Sequence, residues 1–444
     1  MQALEALPAA PAHSRQAWYM VFALTLCSVT AQVDRFAMTL LVTPMQQDLG
    51  LNDTQTGLIG GLVTGVFYAL AGLPLARLAD QYSRKWLVIF GVAGWSLMTM
   101  ASGLAIGFWT LCLARLLLSV GEASLGPAAN SLIANAFAPQ RLSQPLSVFA
   151  AAGSIGNALG SALVAVLLAL SPALALWLRF DDAPMAPWRI VMLGLGLVGV
   201  VPLLLMLAVR EPARASGDGQ SPSFKRFIAY LRPRARAYGV CYFGYAMFVL
   251  PFIALSFWLP TAFERAFHVP STTVGIWLGL GYLMAGTPGT IFGGWLAAWL
   301  ERRGRADGKL VVLLLATLVA VPATVASQLA GDVVLGVGLV WVAMFCAAMA
   351  LGPVTAAIQA ITADAFRAQA AALLYLLIFV VAFMGIPATG ALTDLLFKDP
   401  RMLGHSLALI ALLFGSLTLV LVSRWRKHYV ATLPPTPAIE GVFP

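Results

Sequence analysis

Residues 18–45 read WYMVFALTLCSVTAQVDRFAMTLLVTPM. The stretch is long enough to cross roughly 30 Å of hydrocarbon as a helix. Its only charges, Asp34 and Arg35, fall in its second half. A charge near the bilayer centre costs about 2.5–3.5 kcal/mol on insertion scales. It persists where it is paired, faces a cavity or does work. A second apolar stretch, residues 108–136, carries Arg115 and Glu122 and no other charge. Four ionic groups inside two spans imply an α-helical membrane protein, and they point to transport with its chemistry in the first half.

The rest of the chain fits that class. It is 60% hydrophobic and 10% charged, with a mean hydropathy of +0.87, where a soluble domain carries about 25% charged residues. The alternating segments of about ten residues that mark a membrane barrel are absent. Twelve spans are expected, at 18–45, 55–78, 85–106, 108–136, 142–170, 188–209, 238–263, 272–299, 310–329, 333–362, 368–393 and 402–424. The polar start, residues 1–17, leads into a span too long for the core of a cleavable signal. The net charge of +9 follows from the loops rather than from nucleic-acid binding. With the N-terminus inside, 20 of the 27 basic residues fall in inner segments and five in outer ones, and Arg35 and Arg115 lie within spans. That bias places both termini in the cytoplasm. Cys27, Cys112, Cys241 and Cys346 each sit alone in a span and read as packing residues. The sequon Asn52-Asp53-Thr54 abuts a helix end and carries little weight.

The expected domains are a first bundle (1–209), a basic linker (210–237), a second bundle (238–424) and a tail (425–444). Phe224–Tyr230 within the linker reads as solvated, with a membrane-surface helix as the alternative. The halves match when slid by about 220 residues. Tyr68 to Pro74 parallels Tyr282 to Pro288, Leu125-Gly126-Pro127 parallels Leu351-Gly352-Pro353, Asp80 to Arg84 parallels Glu301 to Arg305, and Pro44 parallels Pro260. Such duplication sets a substrate site between repeats near the midplane. Asp34, Arg35, Arg115 and Glu122 correspond to Leu250, Pro251, Trp341 and Ala348, so the second half drops every buried charge.

The loop Ala76-Arg77-Leu78-Ala79-Asp80-Gln81-Tyr82-Ser83-Arg84-Lys85 resembles the signature between spans 2 and 3 of the major facilitator superfamily. It departs at Ala76, Gln81 and Ser83. Asp34-Arg35-Phe36, Trp95-Ser96, Arg115, Val120 to Ser124, Pro127 and Gly153 to Gly160 resemble the Spinster branch over residues 30–165. Gly156-Asn157 stands where drug antiporters carry Gly-Pro. The resemblance implies a fold of twelve helices in two pseudo-symmetric bundles of six, and transport of lysophospholipid or sphingosine-phosphate-like lipids, with proton coupling in bacterial members. It also implies a cytoplasmic gate at Asp80 and Arg84, mirrored by Glu301 and Arg305; plain positive-inside anchoring is the alternative.

Arg115 and Glu122 are two turns apart, about 10 Å along one helix face, and Asp34 lies at similar depth on a span running the other way. The four residues are therefore expected to cluster. Asp34 and Glu122 are assigned to protons, and Arg35 and Arg115 to pairing or to an anionic head group. Protonation of a carboxylate would release its arginine for substrate. A static salt bridge holding span 1 to span 4 is the alternative. Tyr245, Phe248, Trp341, Phe345, Tyr375 and Phe379, with Tyr238, Tyr242 and Phe252, recur at helical spacing and offer an apolar wall, although such stripes also serve packing. The expected substrate is an amphipathic anionic lipid; a small organic anion or drug-like amphiphile is the alternative. An enzyme lacks support, since HExxH and GxxxxGK[ST] are missing and the four His are scattered. Channel-like rings of charge are missing too. No cofactor, metal or nucleic acid is expected, and the chain is expected to be a monomer in the bacterial inner membrane.

Overall fold

In a computed structural model, residues 15–138, 141–175, 179–180, 183–213 and 223–433 are described. They form twelve helical rods. Span 1 is Arg15–Leu40 continued by Val42–Leu49, span 2 covers 53–81, span 3 is Arg84–Gly103, span 4 is Phe108–Ala136, span 5 is Ser143–Ala175 and span 6 is Pro187–Ala208. Span 7 is Ala235–Phe267, span 8 covers 271–302, span 9 is Gly308–Leu329, span 10 is Val333–Ile361, span 11 covers 367–397 and span 12 is Leu403–Thr432. Eleven helices are long and apolar enough to cross a membrane. Span 8 joins them as a helical rod whose glycines, threonines and Pro288 dilute its apolarity. A two-residue hairpin, Arg179–Phe180 with Ala183–Pro184, lies before span 6.

The breaks have local causes. Pro44 lies in the first turn of Val42–Leu49, where a missing N–H costs little, and span 1 is interrupted just before it at Leu41. Span 4 breaks after Glu122 and restarts at Leu125 with Pro127 in its first turn. Glu122 is thus the last residue of a helix, beside a loosened turn.

The chain divides into two compact units. One comprises residues 1–218, 255–283 and 386–406; the other comprises 219–254, 284–385 and 407–444. Within the first, span 1 packs along span 5, and span 3 packs on spans 4 and 6. Burying leucine against leucine gains little where lipid is equally apolar, so close backbone approach carries the packing. Gly121, beside Glu122, is one such place: a Cβ there would lie 3.1 Å from the Gly91 carbonyl oxygen. Gly156 is another, where a Cβ would lie 3.0 Å from the Val29 carbonyl oxygen. These two contacts set the spacing of spans 3 and 4 and of spans 1 and 5. In the second unit, spans 8, 9 and 10 pack on one another through 287–302, Gly308–Leu329 and Val333–Ile361.

The first unit gathers the ends of spans 1, 2, 7, 8 and 11. Arg265 at the end of span 7 donates to both oxygens of Asp53, Nη1 to Oδ2 and Nη2 to Oδ1, each at 2.7 Å. Gln46 bridges the two, accepting from Arg265 at 2.9 Å and donating to Asp53 at 2.7 Å. Asp394 accepts from the Thr54 backbone and hydroxyl at 2.7 and 2.6 Å. Glu264 accepts from Thr43 at 2.7 Å. This end is closed by charge and hydrogen bonds rather than by an apolar plug.

Asp53 is 3% exposed, and removing one partner of a buried pair typically costs about 3–5 kcal/mol because the other charge is left uncompensated. Arg265→Ala should therefore lower thermal stability in detergent markedly, and Asp53→Asn in the same molecule should cost little more. Strictly additive losses in that double-mutant cycle would show that the pair is not coupled.

Candidate functional site

The four intramembrane charges meet in the first unit. Their pairing crosses between the two helices. Arg115 Nη1 donates to Asp34 Oδ2 at 2.8 Å, and Arg35 Nε donates to Glu122 Oε2 at 2.7 Å, with Nη2 at 2.6 Å. Each helix supplies one acid and one base, so two ion pairs tie span 1 to span 4. Arg35 also donates to Gln32 Oε1 at 3.2 Å, and its guanidinium lies 4.8 Å from the centre of the Tyr68 ring. Arg115 Nη2 points at Met192 Sδ, 3.0 Å away.

Exposure separates the members. Asp34, Arg115 and Glu122 are 4%, 2% and 1% exposed, whereas the Arg35 side chain is 25% exposed. Arg35 is therefore the accessible face of a buried cluster. The cluster is not saturated. Asp34 Oδ1, Arg115 Nε and Glu122 Oε1 are buried without a hydrogen-bond partner, at a cost of roughly 1–3 kcal/mol each. A cavity of about 10 Å³ adjoins Asp34 and is lined by Thr30, Trp95, Ser96, Thr99 and Gly199 among others, room for about one water. Two crossed pairs with spare acceptors can exchange partners or take up a proton without dismantling the helix contact.

The second half holds no counterpart. Among the described residues, every buried charged side chain (Asp34, Asp53, Arg84, Arg115, Glu122 and Arg189) precedes the linker. The expected aromatic wall is not one surface. Tyr245 and Phe248 are buried, and Phe248 lines a small void within the second unit with Thr324, Ala347 and Ala411. Phe345 packs on Phe292 at 5.6 Å, and Phe379 stacks on Phe383 at 5.2 Å. Trp341 is half-buried and Tyr375 is exposed. Tyr238 and Tyr242 serve as ties, donating to the Ile361 and Ala370 carbonyls at 3.1 and 2.9 Å. Aromatic spacing of three and four residues suits packing as well as lining, and packing takes most of them here.

The gate residues also find other partners than expected. The side chain of Asp80 lies outside the described residues. Arg84 is buried and joined to Glu211, with Nε on Oε1 at 3.0 Å, and it also donates to Ser131 Oγ at 3.1 Å and the Pro212 carbonyl at 2.9 Å. Ser83 donates to the other Glu211 oxygen. Glu301 pairs with Lys309, and Arg305 with Asp307 at 3.3 Å, which Arg426 also meets at 3.1 Å. Glu301 and Arg305 thus pair with near neighbours rather than with one another. Glu211, Asp53, Arg265 and Tyr68 are missing from the residues expected from sequence. Glu211 stands just past span 6 in a segment dominated by basic residues, and Asp53 looks like part of a sequon. The one usable signal was an acid and a base, Asp53 and Arg265, flanking the corresponding loops between spans 1 and 2 and between spans 7 and 8. Among the described residues no cluster of His, Cys, Asp or Glu fits a metal ion.

Comparison with known proteins agrees with this geometry. Residues 24–386 match the family model described as Major Facilitator Superfamily. An "MFS-type efflux pump" of Mycolicibacterium smegmatis is 30% identical over 94% of this chain and 95% of its own length. Human "Protein spinster homolog 1" is 35% identical over 46% of this chain, a match spanning 36% of that protein. The crystal structure of a bacterial homologue of the human lysosomal transporter Spinster, inward-facing and unoccupied, superposes with a TM-score of 0.77 at 22% identity, covering 95% of this chain and 98% of that one.

Glu211 gives a pH-dependent contact outside the membrane. Burial alone would raise its carboxyl, but hydrogen bonds from Ser83, the Arg84 side chain and the backbone N–H groups of Arg84 and Lys85 outweigh it and hold the group below its ordinary value. A depressed carboxyl stabilises the fold above its unfolded value and loses that contribution as pH falls through the folded one. Glu211→Gln should therefore lower the melting temperature at pH 7, and the gap to wild type should narrow as pH drops below 5. A gap that stays constant from pH 7 to pH 4 would exclude this role.

Proposed function

This chain belongs to the major facilitator superfamily and is Spinster-like within it, and we propose that it moves an amphipathic anionic lipid by alternating access, driven by protons. The coarser statement, a multi-pass membrane transporter of a small molecule rather than an enzyme, follows from the family. The lipid is of the lysophospholipid or sphingosine-phosphate class.

The observation that carries the reading is the crossed pairing with Arg35 at its accessible edge. An anionic head that reaches Arg35 competes with Glu122 for the same guanidinium. Once Arg35 turns to the head, Glu122 is a buried carboxylate without its counter-ion, and a proton restores neutrality. The exchange then runs in reverse when the proton leaves. Arg115 and Asp34 repeat the arrangement deeper, with Asp34 able to take a second proton and Arg115 to follow the head. Proton and substrate thus share partners without sharing a path. The tail needs no polar contact, and Trp341, Tyr375 and Phe379 of the second half, all at least partly accessible, supply apolar surface for it. The closed end built on Asp53 and Arg265 must open in the alternate state, and its ionic character suits a contact that breaks into water. The Arg84–Glu211 contact serves the opposite, linker-side end. We place the chain as a monomer in the inner membrane, with two six-helix bundles and both termini in the cytoplasm.

Efflux of a drug-like amphiphile is the second reading, favoured by likeness to the mycobacterial efflux pump over nearly the whole chain.

Proteoliposomes decide between them. Fluorescent lysolipid, a small organic anion and a cationic dye would be compared with and without a pH gradient. Lysolipid movement accelerated by the gradient is expected. Asp34→Asn and Glu122→Gln should each lose that acceleration at least tenfold, and Arg35→Ala should abolish lysolipid transport. An undiminished pH response in both carboxylate variants would remove the proton mechanism; preference for the dye would favour efflux.

A further inference from the structure

Residues Phe224–Leu231 form a short helix in the second unit, ahead of span 7. It is anchored rather than free. Phe227 is buried against Phe366 at 5.9 Å, and Tyr230 stacks on Phe366 at 4.8 Å. Tyr230 Oη donates to the Ile361 carbonyl and accepts from the Ala363 N–H, each at 3.0 Å. The strip beside this anchored face is apolar and largely exposed. Phe224 and Ile228, four residues apart and so on one face, are 62% and 41% exposed.

The helix runs into a tight turn, Arg232–Arg234, and then into span 7. Between this junction and the end of span 12 lies a recess of about 390 Å³ lined by Arg232, Arg234, Arg236, His428 and Thr432 among others. Among the described residues no carboxylate lines it. Arg234 is held in place by the Tyr230 ring, 4.5 Å from its guanidinium, and by a 3.3 Å bond to the Tyr230 carbonyl. Arg232 and Arg236 are exposed and make no ion pair among the described residues. Arg426 on the same span 12 has a partner, Asp307. Counter-charge is thus present nearby but not here. Arg232, Arg234 and Arg236 line the same recess, so an anion placed there meets three cationic side chains.

The geometry points to a binding site for the phosphate head group of an anionic phospholipid from the surrounding leaflet. The recess falls at the lower end of the roughly 300–1,000 Å³ usual for small-molecule sites, which suits a phosphate with its esterified alcohol. Arginines match phosphate oxygens in bidentate fashion. Basic pockets between spanning helices are a known mode of head-group capture, and the exposed Phe224 and Ile228 supply an apolar face of the kind that seats a helix at the lipid boundary. This site is separate from the Asp34–Glu122 cluster and does not depend on the transport reading.

Full-length protein would be purified in a non-ionic detergent and titrated with short-chain phosphatidylglycerol and phosphatidylcholine, with bound lipid counted by native mass spectrometry. Tighter binding of phosphatidylglycerol is expected. With about 1 kcal/mol per basic residue near a charged surface, Arg232→Ala/Arg236→Ala should weaken it about thirtyfold, while Arg232→Lys/Arg236→Lys retains most of the preference. Equal binding of the two lipids would overturn the proposal, as would an unchanged preference in the alanine variant. Displacement by inorganic phosphate at equal concentration would assign the recess to a free anion instead. A preference lost in Arg35→Ala but kept in the double variant would assign the lipid to the transport site.

Discussion

A charge within hydrocarbon is tolerable only with its opposite beside it, and this chain meets that constraint by crossing two pairs between spans 1 and 4. Had Asp34 paired with its neighbour Arg35, and Arg115 with Glu122 along its own helix, each span would be self-sufficient and free to slide. Because the partners are exchanged, neither span pairs its own charges internally. The contact is therefore obligatory, and the close approaches at Gly121 and Gly156 hold span 4 to span 3 and span 1 to span 5 beside it. A single pair would have sufficed as a tie. Two pairs with three unpartnered buried atoms make an arrangement in which one bond can change while the other holds.

The same logic runs outward along the first unit. Asp53 with Arg265 at one end and Arg84 with Glu211 at the other are ionic too, and each has a buried member. Ionic contacts at the water boundary have a cheap alternative, since solvent takes over the partners when they separate. The buried cluster has no such alternative, so each charge there depends on its protein partner. The chain thus places its solvent-replaceable contacts at the ends and its obligatory ones at the centre.

Much of this was readable from sequence for a simple reason. Apolar runs of about twenty residues are unmistakable, so the spans agree to within a few residues at most boundaries. Ionic residues inside them are rare enough that Asp34, Arg35, Arg115 and Glu122 identify themselves. Which acid takes which base was not readable, because adjacent residues on one helix offer either choice and only the rotation of span 1 against span 4 decides. Glu211 escaped because its neighbours in sequence are basic, while its partner Arg84 lies 127 residues away. The aromatic stripe was misleading because helical spacing reports a face and not what covers it. Phe248 and Tyr375 share the spacing; one is buried in the bundle and the other exposed.

The confinement of buried charge to the first half also bears on how duplication produces a transporter. The two halves share matched glycines and prolines. They do not both need ionic chemistry. If each half carried a buried pair, both would have to be neutralised in every cycle, and binding of one anion would leave the other cost unmet. Under the mechanism proposed above, concentrating the charges in spans 1 and 4 lets one proton and one head group neutralise the cluster in each cycle. An amphipathic anion is the kind of substrate for which that unequal division of charge is complementary.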